Sequence, residues 1–245
     1  MKTKTKTPKG LVLWEGPSRF NGLDVVVIAT GLDGKSKNPK TGPMVQTWIL
    51  LRDIPPHEAV KAGEDEGVCG GCPLRGDVCY VNTWQAPLEI WKAYHRGVYT
   101  QVSYEDGSLL LEGQAVRLGA YGDPGAVPAE VWRHAVKRAR RWTGYTHSWR
   151  IRPDLRDLCM ASCDTEQDRI DAKAMGWRYF GLGEEPIAGE IVCPASDEGG
   201  KLTTCEQCGL CNGARGAGDN RRSIIIAPHG RGANKLEQAL AGFAV

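Results

Sequence analysis

Two runs of apolar and β-branched residues, 24–30 (DVVVIAT) and 44–51 (MVQTWILL), flank a segment rich in Gly, Asn, Pro and Lys that ends in NPKTG at 38–42. This pattern predicts a hairpin-like start. The Gly-rich stretch 67–80 predicts a loop without regular structure, and Pro87 opens a predicted helix that runs to His95. From residue 114 the pattern alternates. The apolar run 114–123 stops at Asp123-Pro124-Gly125, as a strand does on entering a loop. Over 129–142, Val131 or Trp132, Ala135, Val136, Ala139 and Trp142 share one helical face, with Arg133, Lys137, Arg140 and Arg141 elsewhere. Short strands follow at 143–148 and 158–164. Thr165 caps a predicted helix that ends at Gly176. Residues 177–181, 190–193 and 223–227 supply three more strands.

Alternating strands and helices imply parallel strands with helical crossovers. The expected fold is α/β, a partial βα barrel resembling a TIM barrel, with about six to eight strands and cysteine-rich loops. One domain, 11–245, would follow a flexible basic tail, 1–10. Function in such a fold sits at the C-terminal ends of strands, which nominates Asp123, His147, Cys163 with Asp164, Cys193 and His229. Of these, Asp123, His147, Asp164 and His229 are candidate catalytic groups, able to relay protons, and each is equally at home as an ordinary polar or loop-capping residue.

Composition narrows the class. With 41% hydrophobic residues the 245-residue chain can bury a substantial core, and 31 glycines and 14 prolines imply short elements and many loops. No stretch approaches the roughly 20 apolar residues that span a bilayer, and residues 1–9 lack the apolar core of a secretory signal. A soluble, intracellular protein with no membrane association is expected. Net charge is +2, but Lys2, Lys4, Lys6 and Lys9 lie in the tail; without them 27 basic residues face 29 acidic ones. The folded body is therefore nearly neutral, and any polyanion would have to be held by a local patch.

Nine cysteines change the picture most, because an odd number without a signal peptide suits metal binding better than a disulfide framework. Cys205, Cys208 and Cys211 form a C-x2-C-x2-C run, which wraps three thiolates around one face of an iron-sulfur cube. Cys193, followed by Pro194, is the candidate fourth ligand. The alternative is a zinc ion held by the same four thiolates. Cys69, Cys72 and Cys79 offer a second set of three, in a loop made pliable by Gly67, Gly70, Gly71 and Gly76. Its fourth position is open to Cys163, Cys159, a non-cysteine group or a substrate; zinc or a purely structural loop are its alternatives. Cys159 reads chiefly as core, whereas Cys163 stands beside Asp164 at a strand end.

Between 131 and 156, eight basic residues (Arg133, Lys137, Arg138, Arg140, Arg141, Arg150, Arg152, Arg156) accompany one acidic residue, Asp154, with Trp132, Trp142, Tyr145 and Trp149 interleaved. Such a stripe could grip a phosphate backbone and stack bases, or meet a redox partner's acidic surface. It equally fits a helix with a buried aromatic face and a solvated basic one. Lys40-Thr41-Gly42 lacks the upstream glycines of a phosphate loop, and neither G-x-S-x-G nor H-E-x-x-H occurs.

Taken in order, NPKTG at 38–42, Cys72-Pro73 within the C-x2-C-x6-C-Tyr80 loop, Arg96-Gly97-Val98-Tyr99, YTHSW at 145–149, Cys193-Pro194, the Cys205–Cys211 run and Pro228-His229-Gly230 resemble the phage gene product 88 domain family over residues 36–231. The resemblance implies a phage-encoded protein of the host cytoplasm with an iron-sulfur site. A second resemblance, of architecture alone, is to radical S-adenosylmethionine enzymes, which hold a three-cysteine cluster at the mouth of a βα barrel. Their loop is C-x3-C-x2-C, whereas this one is C-x2-C-x6-C. The combined expectation is an iron-sulfur protein with one or two 4Fe–4S clusters, S-adenosylmethionine as a candidate cofactor, redox or radical-type chemistry, and an electron-donor protein as partner. The competing expectation is a zinc-stabilised module that binds nucleic acid through 131–156.

Overall fold

The computed structural model describes residues 7–34, 38–216 and 218–228. In chain order the elements are β1 (Gly10–Pro17), β2 (Asp24–Thr30), β3 (Val45–Leu51), α1 (Pro56–Ala62), α2 (Glu66–Cys69), α3 (Ala86–His95), β4 (Thr100–Gln101), α4 (Tyr104–Leu110), β5 (Ala115–Tyr121), α5 (Ala129–Val136), β6 (Arg141–Thr146), β7 (Met160–Cys163), α6 (Glu166–Ala174), β8 (Tyr179–Leu182), β9 (Glu190–Val192), α7 (Cys205–Cys208) and β10 (Ser223–Ile226).

All ten strands join one sheet in the order β4-β1-β2-β3-β5-β6-β7-β8-β10-β9. The expected hairpin is present: β2 and β3 pair antiparallel, with Val25 opposite Leu51, and β1 adds a further antiparallel strand. From β3 onward every pairing is parallel. The α/β class holds, but the barrel does not close. β4 and β9 stand at opposite edges, so the sheet is open, with ten strands rather than six to eight. Two antiparallel pairings at the start carry β1 outward from β3, and the two-residue β4 ends the sheet beyond it. β1 also takes Gly10 out of the expected tail, of which residues 1–6 lie outside the described residues.

The larger core packs helices against the sheet. Trp132 of α5 is fully buried and donates its indole N–H to the Pro124 carbonyl at 2.9 Å. α5 is shorter than its periodicity suggests. The Arg140 N–H donates to the Gln114 carbonyl beside β5, which draws the chain into β6 and makes Trp142 a strand residue. α6 begins on a capping box, in which the Thr165 hydroxyl accepts the Asp168 N–H and the Asp168 carboxylate accepts from Thr165.

Strand alternation then creates a second face. Gly144 turns toward Leu118 and Cys159 in the large core, while Thr143 and Tyr145 point the other way. There Arg117 lies beside Thr143, Tyr145 beside Met160, and Phe180 beside Ile224 across the parallel pairings. Met160, Ile224 and Ile226 form a smaller core with Cys193, Ala195 and Cys211. The segment that covers this face, 193–216, contains only the four-residue α7 as a helix.

Candidate metal centres

Cys193, Cys205, Cys208 and Cys211 line one cavity on this second face, walled by Thr143 of β6 and Ile224 of β10. Two backbone docks bring the segment there. Asn38 Oδ1 accepts the N–H groups of Lys40 and Thr41, at 3.0 Å each, folding NPKTG into a tight turn. The outward carbonyls of Lys40 and Thr41 then accept the N–H groups of Cys205 and Glu206 at 2.9 and 3.0 Å. These are first-turn donors of α7, which have no partner within the helix. Thr204 caps the same turn by accepting the Gln207 N–H. Gly209 ends it at φ +62°, a left-handed conformation, packed on the Arg141 side chain. At the far end the Cys211 carbonyl accepts the Gly144 N–H at 2.9 Å. The buried Arg178 clamps both flanks of Cys211, donating to the Leu210 and Asn212 carbonyls at 2.8 Å each and to Arg222 at 2.7 Å.

Burial pushes the thiols of Cys193 and Cys205 up and that of Cys211 up to about 12, with the neighbouring cysteines adding to each shift. The surrounding charge is positive. Lys40 acts on Cys193 and Cys205, Arg117 on Cys205, and Arg178 feels Cys211. The neighbouring Tyr145 hydroxyl partly offsets the rise at Cys211. Arg117 has an unpartnered, buried Nε and, among the described residues, no paired carboxylate. Four thiols ringed by cations suit an anionic, thiolate-held group, whose binding would displace the thiol protons.

Cys69, Cys72 and Cys79 form the second set, at the C-terminal end of the sheet. Cys69 closes α2, and Gly70 follows at φ +56°, its backbone against the Phe20 ring. The Arg75 guanidinium donates to the Gly70 carbonyl at 3.0 Å and folds the loop back. Burial raises Cys69 strongly, and Cys72 and Cys79 act on it; burial likewise raises Cys79. The three thiols thus share one electrostatic neighbourhood.

Asp123 anchors this end. Its N–H donates to the Val68 carbonyl at 2.7 Å, one residue before Cys69. Its carboxylate accepts the Gly125 N–H at 2.7 Å, the Thr146 hydroxyl at 2.6 Å and the His147 N–H at 2.7 Å. Through these three bonds Asp123 positions β5, β6 and the cysteine loop. His147 Nε2 lies 3.3 Å from Asp164 Oδ2, and Cys72 lies in the electrostatic surroundings of the ring. Burial opposes the imidazolium, but Asp164 and Cys72 outweigh it and hold the His147 pKa well above its usual value. His147 and Asp164 therefore meet at this end of the sheet, with Cys72 and Cys79 in the electrostatic surroundings of the imidazole. His229 lies outside the described residues.

Cys163 departs from its expected role. It is 1% exposed, its Sγ faces the Ala161 carbonyl at 3.7 Å, and its electrostatic neighbours are Asp168, Asp164, Arg150 and Arg169 rather than the other cysteines. It faces the helix-covered core because β7 alternation sends it there with Ala161. Cys159 is fully buried in the same core, as expected.

The 131–156 stripe is not an open basic face. Trp132 and Trp149 are buried, and the indoles of Trp142 and Trp149 donate to the Leu158 and Ser162 carbonyls. Arg133 bonds Asp157, Lys137 and Arg138 bond Glu105, Arg140 bonds Glu206, Arg150 bonds Asp168 and Asp171, and Arg152 bonds Asp154. Arg141 and Arg156 donate to the Gln207 and Met175 carbonyls. Sequence reasoning missed the docking role of Asn38, Lys40 and Thr41 and the clamp of Arg178. NPKTG was the visible signal for the first; nothing local marks the second.

Among the described residues no helix is long and apolar enough to cross a membrane, and no group of three or more His, Cys, Asp or Glu side chains is arranged to hold a metal ion. No family model, curated protein or solved structure matches this chain.

Proposed function

We propose that this chain is an iron-sulfur protein with two cysteine-held 4Fe–4S clusters and redox or radical-type chemistry at the Cys69, Cys72, Cys79 set. The observation that carries this reading is the single cavity lined by Cys193, Cys205, Cys208 and Cys211, two stretches of chain converging on one face. Such clusters supply one-electron chemistry. In this reading Cys193, Cys205, Cys208 and Cys211 hold an electron-relaying or structural cluster, supplied by an electron-donor protein.

The C-x2-C-x2-C spacing of Cys205, Cys208 and Cys211 favours a cluster over the paired-knuckle spacing usual for zinc. The cations Lys40, Arg117 and Arg178 match the negative charge of any four-thiolate group held there. S-adenosylmethionine would need room beside the three-thiol set; this cavity and another between Arg169, Lys173 and Ile187 are lined by other residues. The phage resemblance would place the protein in the host cytoplasm.

Anaerobic purification with iron, sulfide and zinc quantitation and electron paramagnetic resonance tests the reading. Brown protein that bleaches with dithionite, with iron and sulfide in equal amounts, supports it. Colourless protein with stoichiometric zinc overturns it and leaves the zinc-stabilised nucleic-acid module.

A further inference from the structure

We infer that the cavity between α6 and β8 is a binding site for a small monocarboxylate with a compact apolar body. The inference does not depend on the cluster reading, and the site shares no residue with either cysteine set.

The cavity is lined by Arg169, Ile170, Lys173 and Ala174 of α6, Tyr179 of β8 and Ile187. Its volume of about 330 Å³ lies at the lower end of the roughly 300–1,000 Å³ usual for small-molecule pockets. One carboxylate builds it. The Glu190 side chain, wholly buried at the start of β9, accepts from Arg169 Nη1 at 3.2 Å, from the Tyr179 hydroxyl at 2.8 Å and from the Ile187 N–H at 2.8 Å. Walls from a helix, a strand and a loop are thus held together by a group that does not itself line the cavity. The Arg169 side chain also lies on the backbone of Gly181 and Gly183, where an added Cβ would come within 2.8 and 3.4 Å of it. A buried ion pair is a poor source of stability, because stripping water from both charges costs about as much as their attraction returns. What this pair does secure is the position of a guanidinium, 8% exposed, at the cavity wall.

Charge and exposure select the ligand. Among the described residues Arg169 bonds only Glu190, through Nη1, and its Nε is buried without a partner. The Lys173 Nζ stands 3.6 Å from where a Cβ on Gly189 would be and has no carboxylate partner among the described residues. Glu184 and Glu185, in the loop before Ile187, are exposed and lie outside the lining. Glu190 therefore meets one of two cations, and one positive charge is left for one anion. Beside it Ile170 and Ile187 are 51% and 45% exposed, an apolar surface that a hydrocarbon or aromatic body would remove from water. An inorganic anion would leave these isoleucines wet, and a neutral apolar molecule would leave Lys173 unused.

The test is a titration of full-length protein, followed by nuclear magnetic resonance of 13C-labelled isoleucine methyls, with 3-phenylpropionate, its neutral amide 3-phenylpropanamide, and acetate. The acid should shift the Ile170 and Ile187 methyls saturably, and the amide and acetate should bind at least about tenfold more weakly. Residues 173 and 174 are exposed on α6, so that changing them spares the core. Lys173→Met should weaken the acid about tenfold and leave the amide unchanged, and Ala174→Trp, which fills the cavity with an indole, should abolish the shifts. No saturable shift of these two methyls at millimolar acid, equal affinity for acid and amide, or full acid affinity in Ala174→Trp overturns the inference.

Discussion

The Arg117 guanidinium donates to the Tyr80 hydroxyl at 2.9 Å, and through this bond β5 ties the residue after Cys79 to the face that carries Cys205 and Tyr145. Arg117 thus stands between the two cysteine sets, a half-buried cation with a buried, unpartnered Nε, whose electrostatic partners are two phenols and a thiol. Removing water from an uncompensated guanidinium is costly, and an anionic neighbour offsets that cost. Arg117→Met should therefore leave the urea midpoint of metal-free protein unchanged or raise it. In the iron-loaded protein the same substitution should lower stability by about 1–3 kcal/mol. Tryptophan fluorescence melts of both forms check this; equal losses would show that Arg117 serves packing alone.

Arg178→Met should unfasten the C-terminal segment. It leaves the carbonyls of Leu210, Asn212 and Arg222 without their donor, at a cost of about 3 kcal/mol. Hydrogen exchange should rise at the Gly144 N–H, which depends on the Cys211 carbonyl for its bond, before it rises in β2.

Asp123→Asn keeps the side chain's shape but turns an amide N–H₂ toward either His147 or the Thr146 and Gly125 donors. A loss of about 2 kcal/mol is expected in urea unfolding, with weaker iron retention at the three-cysteine loop. Full stability in this variant would remove Asp123 from its anchoring role.

Acid should act through Asp219. The Arg221 guanidinium, with backbone N–H groups of Arg215 and Arg221, holds this carboxyl well below its usual range. Arg221 in turn donates to Asn212 and to the Gly213 carbonyl. A depressed folded-state pKa gives stability that is full above the unfolded value near 3.9 and is lost as pH falls through the folded one. Asp219→Asn should thus be less stable than wild type at pH 6, and the gap should narrow steadily from pH 4 toward pH 2. A gap independent of pH contradicts the assignment.

Cys208→Ala and Cys159→Ala separate ligand from core. The first should lower bound iron and loosen the segment after residue 193. The second should cost about 1–2 kcal/mol through a small cavity beside Gly144 and leave iron content unchanged. Equal iron loss from both would overturn the ligand sets.

The parallel strands were legible because each is a short apolar run bounded by turn residues, and the cysteine sets were legible because spacing alone groups them. Long-range constraints were not. Nothing in GLVLWEGP at 10–17 shows that it pairs with both β2 and β4, which leaves β4 rather than a closing strand at this end of the sheet. Helical period continued through Ala139 and Trp142, yet the bond from Arg140 to Gln114 ended the helix earlier. The basic aromatic stripe looked like a surface because its acidic partners, Glu105, Asp157, Asp168, Asp171 and Glu206, are mostly distant in sequence. His147 and Asp164 were nominated from strand ends alone; their meeting at 3.3 Å required the fold.

An open sheet has a cost that a closed one avoids. Met160, Ile224 and Ile226 are sheltered by a loop-rich flap stitched down by Lys40, Thr41 and Arg178. Cutting those stitches would lift the flap and bare a greasy stripe, so that such material would clump long before its helices melt.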